Sequence, residues 1–350
     1  MLVLVTGGTG FLGAHTVAAL VRDGHRVRLL ARAHAGVEKA LNPLGVSARG
    51  VEVMIGDVTD RAAVNRAVRG TDAVVHAAAV FSFDTRQHAA MRHTNVTGTE
   101  LVLGAARQFD VGRTVYVSTF GALIPTPGGV VTTQTAPGTS REPYLATKAA
   151  AEAVAREHQA QGAPVMITYP PALLGPHDPK LGDQNARLRN MLRGLMPMWP
   201  SGGFPVGDVR DTAALNAALL TAPADGPDRW FGPGRHASTR VFVQSTRLVT
   251  GRRLPTLFLP ARAMMPMAYL AGLAQRVWPW HIPAEYGACL VCACDARPAD
   301  ERPPLGVNPR PFTQTLADTV QWMHAHGLVS ARQAGRAAGP SIAAAEPEHV

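Results

Sequence analysis

The 350-residue chain is 46% hydrophobic and 17% charged, the balance of a globular protein with a sizeable core, which excludes a disordered or low-complexity polypeptide. Its formal charge of +9 comes from 31 Arg and 3 Lys against 25 acidic residues. The Arg residues are scattered, so the excess reads as a compositional bias that favours anionic small ligands and not as a nucleic-acid footprint.

No basic and apolar leader precedes the first apolar run, so a cytoplasmic location is expected. Residues 2–5 predict a strand, and an apolar periodicity from 11 to about 22 predicts a helix. Between them stands Thr6-Gly7-Gly8-Thr9-Gly10-Phe11-Leu12-Gly13. In a strand, turn, helix setting this is a dinucleotide site. Gly7 permits the tight turn, Gly10 lets the backbone approach a pyrophosphate, and Gly13 lets helix and strand pack, while Phe11 and Leu12 open the helix whose free N–H groups face the anion.

Further strands are predicted at 26–30, 51–55, 72–77, 114–118 and 165–169, with helices at 61–69, 87–108 and 143–161. This alternation gives an α/β class, a doubly wound parallel sheet (Rossmann fold) covered on both faces. After Gly175 the rhythm breaks into Pro-rich loops with helices at 185–193 and 212–220. Residues 1–175 are therefore expected to form the nucleotide-binding domain, with 205–235 returning to it. Residues 176–328 would form a smaller, mostly helical substrate-binding region, and 329–350 a disordered tail.

From Arg28 to Gly36 no acid is present to bind a ribose 2′-hydroxyl; Arg32 stands there instead, 19 residues past Gly13. That favours NADP, as NADPH, over NADH. Tyr144 and Lys148 open the helix predicted at 143–161, and their i, i+4 spacing puts phenol and ammonium on one face. A phenol with pKa ~10 is a poor acid or base at neutral pH, and the adjacent cation is expected to lower that value. A substrate-orienting hydroxyl should follow the fifth strand, where Ser118 and Thr119 adjoin and strand alternation sends them to opposite faces.

Cys289, Cys292 and Cys294 form one C-x-x-C-x-C group with only His281 and Asp295 near in sequence, so buried thiols and no metal site are expected. Residues 257–277, the most membrane-like stretch, are interrupted by Arg262, Pro266, Gln275 and Arg276. No transmembrane segment is expected, which leaves a peripheral membrane contact open.

Taken in order, these motifs resemble the extended short-chain dehydrogenases/reductases over about residues 1–326. The pattern runs from the glycine turn through Gly56-Asp57-Val58-Thr59-Asp60, His76-Ala77-Ala78-Ala79 and Asn95-Val96-Thr97-Gly98-Thr99. It continues with Tyr116-Val117-Ser118-Thr119, Tyr144 to Lys148, and Pro170-Pro171-Ala172-Leu173-Leu174-Gly175-Pro176. The resemblance implies that Asp57 and Val58 hold the adenine, that Ala77 and Ala78 line pyrophosphate and ribose, and that Pro170 and Leu173 flank the nicotinamide. It also implies that Thr119, the second hydroxyl, joins Tyr144 and Lys148 as the catalytic set. Asn95 is expected to be a helix-packing polar residue. Tyr169 stands where the pattern usually has Arg.

Asp208-Val209-Arg210-Asp211 resembles a segment of the reductase branch, which includes dihydroflavonol reductases and 3β-hydroxysteroid dehydrogenases. The implied activity is NADPH-dependent reduction of a ketone or aldehyde, with Tyr144 as general acid. The alternatives are a nucleotide-sugar epimerase or dehydratase with tightly held NAD, and a non-catalytic redox sensor, against which the intact Tyr-Lys pair argues. Phe81, Phe83 and residues 191–199 and 257–269 are expected to cover the nicotinamide with apolar surface suited to a bulky, apolar carbonyl substrate. Arg187, Arg189 and Arg193 are the contrary sign, as a diphosphate clamp. Oligomeric state is left open, a homodimer included.

Overall fold

The computed structural model describes residues 1–81, 88–223, 225–274, 286–300 and 303–339. Strands β1 (Leu2–Thr6), β2 (Arg26–Ala31), β3 (Glu52–Ile55), β4 (Ala73–His76) and β5 (Arg113–Val117) form the first half of the chain. Among later strands are β6 (Val130–Val131), β7 (Val165–Tyr169), β8 (Ala172–Leu174), β9 (Met198–Ser201), β10 (Gly203–Asp208) and β11 (Arg229–Phe231). Among the described residues the central sheet has seven strands in the order β11-β7-β5-β4-β1-β2-β3, all paired in parallel.

The period of 2 along each strand divides its side chains between two cores. Val3 and Val5 of β1, with Leu29 of β2 and Val75 of β4, pack into one cluster, while Leu4, Leu30 and Val74 enter another. The first cluster is closed by α1 (Phe11–Arg22), α2 (His34–Leu41) and α8 (Val209–Ala218). The opposite face is covered by α3 (Arg61–Val68), α5 (Gly98–Gln108) and α6 (Pro143–Ala160). Strands with no polar face at all require this double cover, so the doubly wound arrangement follows from their composition.

The helix predicted at 87–108 is instead α4 (His88–Arg92) and α5, joined by a π-helical turn at His93–Thr97. The edge strand β11 was not predicted; its three residues show no alternation to recognise.

A separate core lies beyond the carboxyl end of β7. It joins α7 (Asp183–Leu192), α9 (Thr239–Thr250), α12 (Phe312–Ala325) and the strands β8, β10 and β12 (Arg235–Ser238). It also includes part of α11 (Tyr286–Cys294), while β9 pairs in parallel with β13 (Leu257–Pro260) next to α10 (Ala261–Ala274). The region expected to be mostly helical thus carries strands as well. Part of the stretch expected to be a disordered tail is ordered: Ser330 caps α13 (Ala331–Ala334), and Val329 and Ala334 are buried in this core. Residues 340–350 lie outside the described residues. Among the described residues no helix is long and apolar enough to cross a membrane.

The two cores are joined at α8. Asp208 caps that helix and accepts from the Arg210 backbone and guanidinium and from the Thr315 hydroxyl. Arg210 also reaches Asp318 at 2.7 Å, and Asp211 accepts from the Arg310 backbone and guanidinium. Burial disfavours the Asp208 carboxylate, but Arg210 and Thr315 outweigh it and hold the group below the usual carboxylate range. Asp208→Ala should therefore cost about 3 kcal/mol of stability, as expected when one partner of a buried pair is removed. The wild-type contribution should be full above the ordinary Asp pKa of about 4 and fade as pH falls below it. Urea denaturation of both proteins across that pH range would check this.

Candidate active site

The glycine turn follows β1, and Ala77 and Ala78 follow β4, on either side of the point where strand order reverses, while Arg32, Asp57 and Pro170 lie just past the carboxyl ends of β2, β3 and β7. Gly7 has φ +75°, and a Cβ there would lie 2.6 Å from the Ala77 carbonyl; a Cβ on Gly13 would lie 2.2 Å from Gly7 O. Both glycines are demanded by packing of the turn against the end of β4 and the first turn of α1. Gly10 is different: a Cβ there would meet only Gly7 O, at 3.2 Å, and its position at the start of α1 has no side-chain cap. This cradle of open backbone beside Ala77 and Ala78, with uncapped N–H groups, fits a dinucleotide pyrophosphate.

Arg32 is exposed immediately after β2. Asp57 follows β3 and accepts from both the N–H and the hydroxyl of Thr59. Burial works against its charge, but these bonds, Arg32 and His93 keep it low. Val58 is buried against Gly98, where a Cβ would come 3.0 Å from its Cγ2.

Thr6 Oγ1 lies 2.7 Å from His76 Nδ1 and accepts from Ala78 N–H at 3.3 Å. On the other side of the ring, Nε2 is 3.1 Å from Thr99 Oγ1, whose hydroxyl donates to the Asn95 carbonyl. Asn95 does more than pack a helix. Its side chain accepts from Val80 N–H, donates to Val80 O, and donates to Thr147 Oγ1. Thr147 in turn donates to the Tyr144 carbonyl. His76 was quoted only as part of a motif; its burial between two hydroxyls has no periodic signature in the sequence.

Glu142 caps α6 by accepting from Leu145 N–H, and Pro143 takes the first helical position, where its missing N–H costs nothing. Tyr144 is half-buried, with Phe81 edge-on at 4.6 Å between ring centres. Its phenol is raised above the ordinary value, by burial first and then by the carboxylates of Glu142 and Asp183. The expectation that the neighbouring ammonium lowers it is therefore corrected. Buried Lys148 donates to Val117 O at 3.1 Å and lies 5.4 Å from the Tyr116 ring centre. Burial lowers Lys148 to about 8, opposed by Glu152 one turn away.

Thr119 starts a short 3-10 turn at Phe120–Leu123, and its Oγ1 accepts from Gly121 N–H. It lines a cavity of about 370 Å³ together with Phe11, Phe81, Tyr144, Pro170 and Leu173. Ser118 is buried and off this cavity.

The cavity wall also contains Glu142, Asp178, Asp183 and Arg187, and Ala288 and Cys292 from α11. Sequence reasoning missed the three carboxylates and α11, because turns and a helix separated by more than a hundred residues converge here only through the fold. Of the apolar stretches expected to cover the site, Phe81 does so. Phe83 lies outside the described residues. Met196, Met198, Trp199, Met264 and Met267 line a second, adjoining cavity, and Leu257 and Tyr269 are exposed. The three Arg residues form no common clamp. Arg187 pairs with Asp183 at 3.3 Å, Arg189 donates to Asn190, and Arg193 donates to Leu328 O. Cys289 and Cys292 are buried, with burial pushing the Cys292 thiol up to about 12. His281 lies outside the described residues, and Asp295 is 3.1 Å from His236. Among the described residues no group of His, Cys, Asp or Glu is placed to hold a metal ion.

Comparison with known proteins adds four findings. The model of the NAD dependent epimerase/dehydratase family matches residues 3–231. The chain is 30% identical to sterol demethylase protein B of Methylococcus capsulatus, over 94% of this chain and 100% of that one. It is 27% identical to a 4-hydroxy-2-methyl-3-oxo-4-farnesyl-3,4-dihydroquinoline-1-oxide ketoreductase of Stigmatella aurantiaca, over 96% and 97%. A UDP-glucose-4-epimerase from Stenotrophomonas maltophilia, solved with bound NAD, shares the fold with a TM-score of 0.70. It is 22% identical, over 93% of this chain and 99% of that one.

The contrast between the glycines is testable. Gly10→Ala should change stability by no more than about 0.5 kcal/mol while weakening NADPH binding at least tenfold, roughly the effect of 1.4 kcal/mol. Gly13→Ala should lower stability by about 1–3 kcal/mol through the clash with Gly7. Thermal denaturation with fluorescence titration of NADPH would separate the two effects; a stable Gly13→Ala protein would contradict the packing argument.

Proposed function

The chain belongs to the NAD-dependent epimerase/dehydratase family, among the extended short-chain dehydrogenases/reductases, and on that premise we propose that it reduces a ketone or aldehyde on a bulky, largely apolar substrate, using NADPH. The observation that carries the substrate class is the charge around the cavity. Glu142, Asp178 and Asp183 face it, and Arg187 is paired with Asp183. A diphosphate placed there would meet the carboxylates of Glu142 and Asp178, each worth on the order of 3 kcal/mol of repulsion at about 5 Å and an effective dielectric near 20, while the charge of Asp183 is offset by Arg187. A neutral carbonyl compound meets no such repulsion. Much of the remaining wall, including Phe11, Phe81, Leu145, Leu173 and Phe204, is apolar and rewards burial at about 25 cal/mol per Å². The sterol and farnesyl-quinoline names of two relatives are consistent with this choice.

Gly7, Gly10, Gly13 and the start of α1 would hold the pyrophosphate, Asp57 and Val58 the adenine side, and Pro170 and Leu173 the nicotinamide side. Arg32 would pair with the 2′-phosphate. When bound, the nicotinamide supplies the hydride that reaches the carbonyl carbon. Thr119, whose oxygen already accepts from Gly121 N–H, turns its own hydrogen to the substrate carbonyl oxygen and fixes its position. Tyr144 gives its phenolic proton to the same oxygen as the alcohol forms. A phenol held protonated by burial and nearby carboxylates suits an acid that must keep its proton until charge develops on the substrate. Lys148, charged below about 8, stabilises the phenolate that remains and can hold the cofactor ribose.

Tyr144→Phe should lower kcat by about two to four orders of magnitude with NADPH affinity kept, and Thr119→Val should be more harmful than Ser118→Ala. NADPH affinity should weaken as pH rises through about 8, a dependence that Lys148→Met should abolish along with most turnover. Arg32→Ala should cost about tenfold to a hundredfold in NADPH affinity and leave NADH affinity unchanged. Stopped-flow turnover and fluorescence titration would test these points, and a wild-type preference for NADH would overturn the Arg32 assignment.

A further inference from the structure

We propose that the catalytic cavity is the head chamber of a two-chamber site, and that the second cavity, walled by α7, β9, α10 and α11, receives an apolar chain attached to the carbonyl-bearing head. The inference deepens the reductase reading and rests on it for the chemistry of the head.

The second cavity holds about 160 Å³. Five residues, Asp183, Arg187, Phe204, Ala288 and Cys292, line both cavities, so the two adjoin across a shared partition. Well-packed interiors leave few voids larger than a water molecule, and this one lies against the second hydrophobic core. Trp199, which lines it, is buried and packs on Phe242 with ring centres 5.6 Å apart.

The walls suit a flexible hydrocarbon. Met196, Met198, Met264 and Met267 contribute unbranched thioethers that repack around irregular chains at little cost. Ala186 and Ala268 leave room between them. Two polar groups of the wall have partners within it: Arg187 bonds to Asp183, and Arg189 donates to Asn190 at 3.1 Å.

The chamber also has an outlet. Met198 and Met267 line it and are 44% and 45% exposed. Leu257, opposite Met198 in the β9–β13 register, is 56% exposed. A chain anchored at Thr119 and Tyr144 would pass the partition, lie along the methionines and end at this apolar rim. A rigid compact substrate would leave the chamber empty, which is the outcome against which the proposal is set.

The test uses the full-length protein with NADPH and a series of methyl ketones of increasing chain length. Once the chain is long enough to pass the partition, kcat/KM should rise by up to about fourfold per added methylene, the factor given by burying one such group. Ala186→Phe, which fills the chamber, should flatten that rise while the shortest ketones react as before. Met264→Ala, which enlarges it, should move the optimum to longer chains. A kcat/KM independent of chain length, or a slope that neither variant alters, would overturn the proposal.

If no ketone is reduced, the reductase reading fails and the chamber is judged by binding alone. A long-chain alkanol brominated at its tail should quench Trp199 fluorescence. The quenching should vanish in Trp199→Phe and weaken in Ala186→Phe. Absence of quenching in the wild-type protein would remove the chamber.

Discussion

The directional hydrogen-bond chain through His76 is the constraint on which the site depends. Thr99 donates its hydrogen to the Asn95 carbonyl, so its oxygen can only accept from His76 Nε2–H. That leaves Nδ1 bare to accept from the Thr6 hydroxyl, whose oxygen then accepts from Ala78 N–H. The chain works in one sense and only with a neutral ring. Burial, seconded by the charge of Lys148, pushes His76 down to about 3 and keeps it neutral. The relay ties the glycine turn to the end of β4. Asn95 extends the tie, through Val80 and Thr147, to the helix that carries Tyr144 and Lys148. The glycine turn and the helix bearing Tyr144 and Lys148 are thus tied through one hydrogen-bond network, the preorganisation that the proposed proton and hydride transfer would require.

A second buried network explains how the chain tolerates Tyr169. The Tyr169 hydroxyl donates to Glu152 at 2.6 Å, and Arg156 donates to both Glu152 and Tyr169. Arg156 of α6 thus sets a guanidinium against the Tyr169 hydroxyl. Glu152 is fully buried, and removing either charged partner would strand the other, which makes breaking the pair costly. Its carboxylate also favours the charged form of Lys148 against burial. The departure at 169 and the state of Lys148 are therefore linked along one helix.

The cavity lies between two cores, and its shape depends on how they are held. Asp208 and Asp211 at the start of α8 bind Arg310, Thr315 and Arg210, and Arg210 binds Asp318. Since α8 also packs against α1 in the sheet's core, this cluster sets the second core relative to the nucleotide end of the sheet. The segment that resembled a reductase motif is thus an architectural joint, one helix away from the chemistry.

The sequence by itself determined the parallel sheet, the places of its first strands along the chain, the glycine turn, the Tyr-Lys pair and the position of the hydroxyl after β5. Each rests on local physics: period-2 burial, a turn that only glycine can make, and i, i+4 geometry on one helix. The residues themselves left two hydroxyls open and the resemblance chose Thr119; the tertiary structure sets Thr119 on the cavity and buries Ser118 away from it. It also decided the state of Tyr144, because the phenol is raised by burial and by carboxylates from Glu142 and Asp183, of which Asp183 arrives on α7. The π-helical turn at Asn95, the edge strand β11, the helix after Ser330 and the second cavity likewise escaped the sequence. Desolvation and contact between distant segments act only when the chain is folded, so no pattern along the sequence carries their sign.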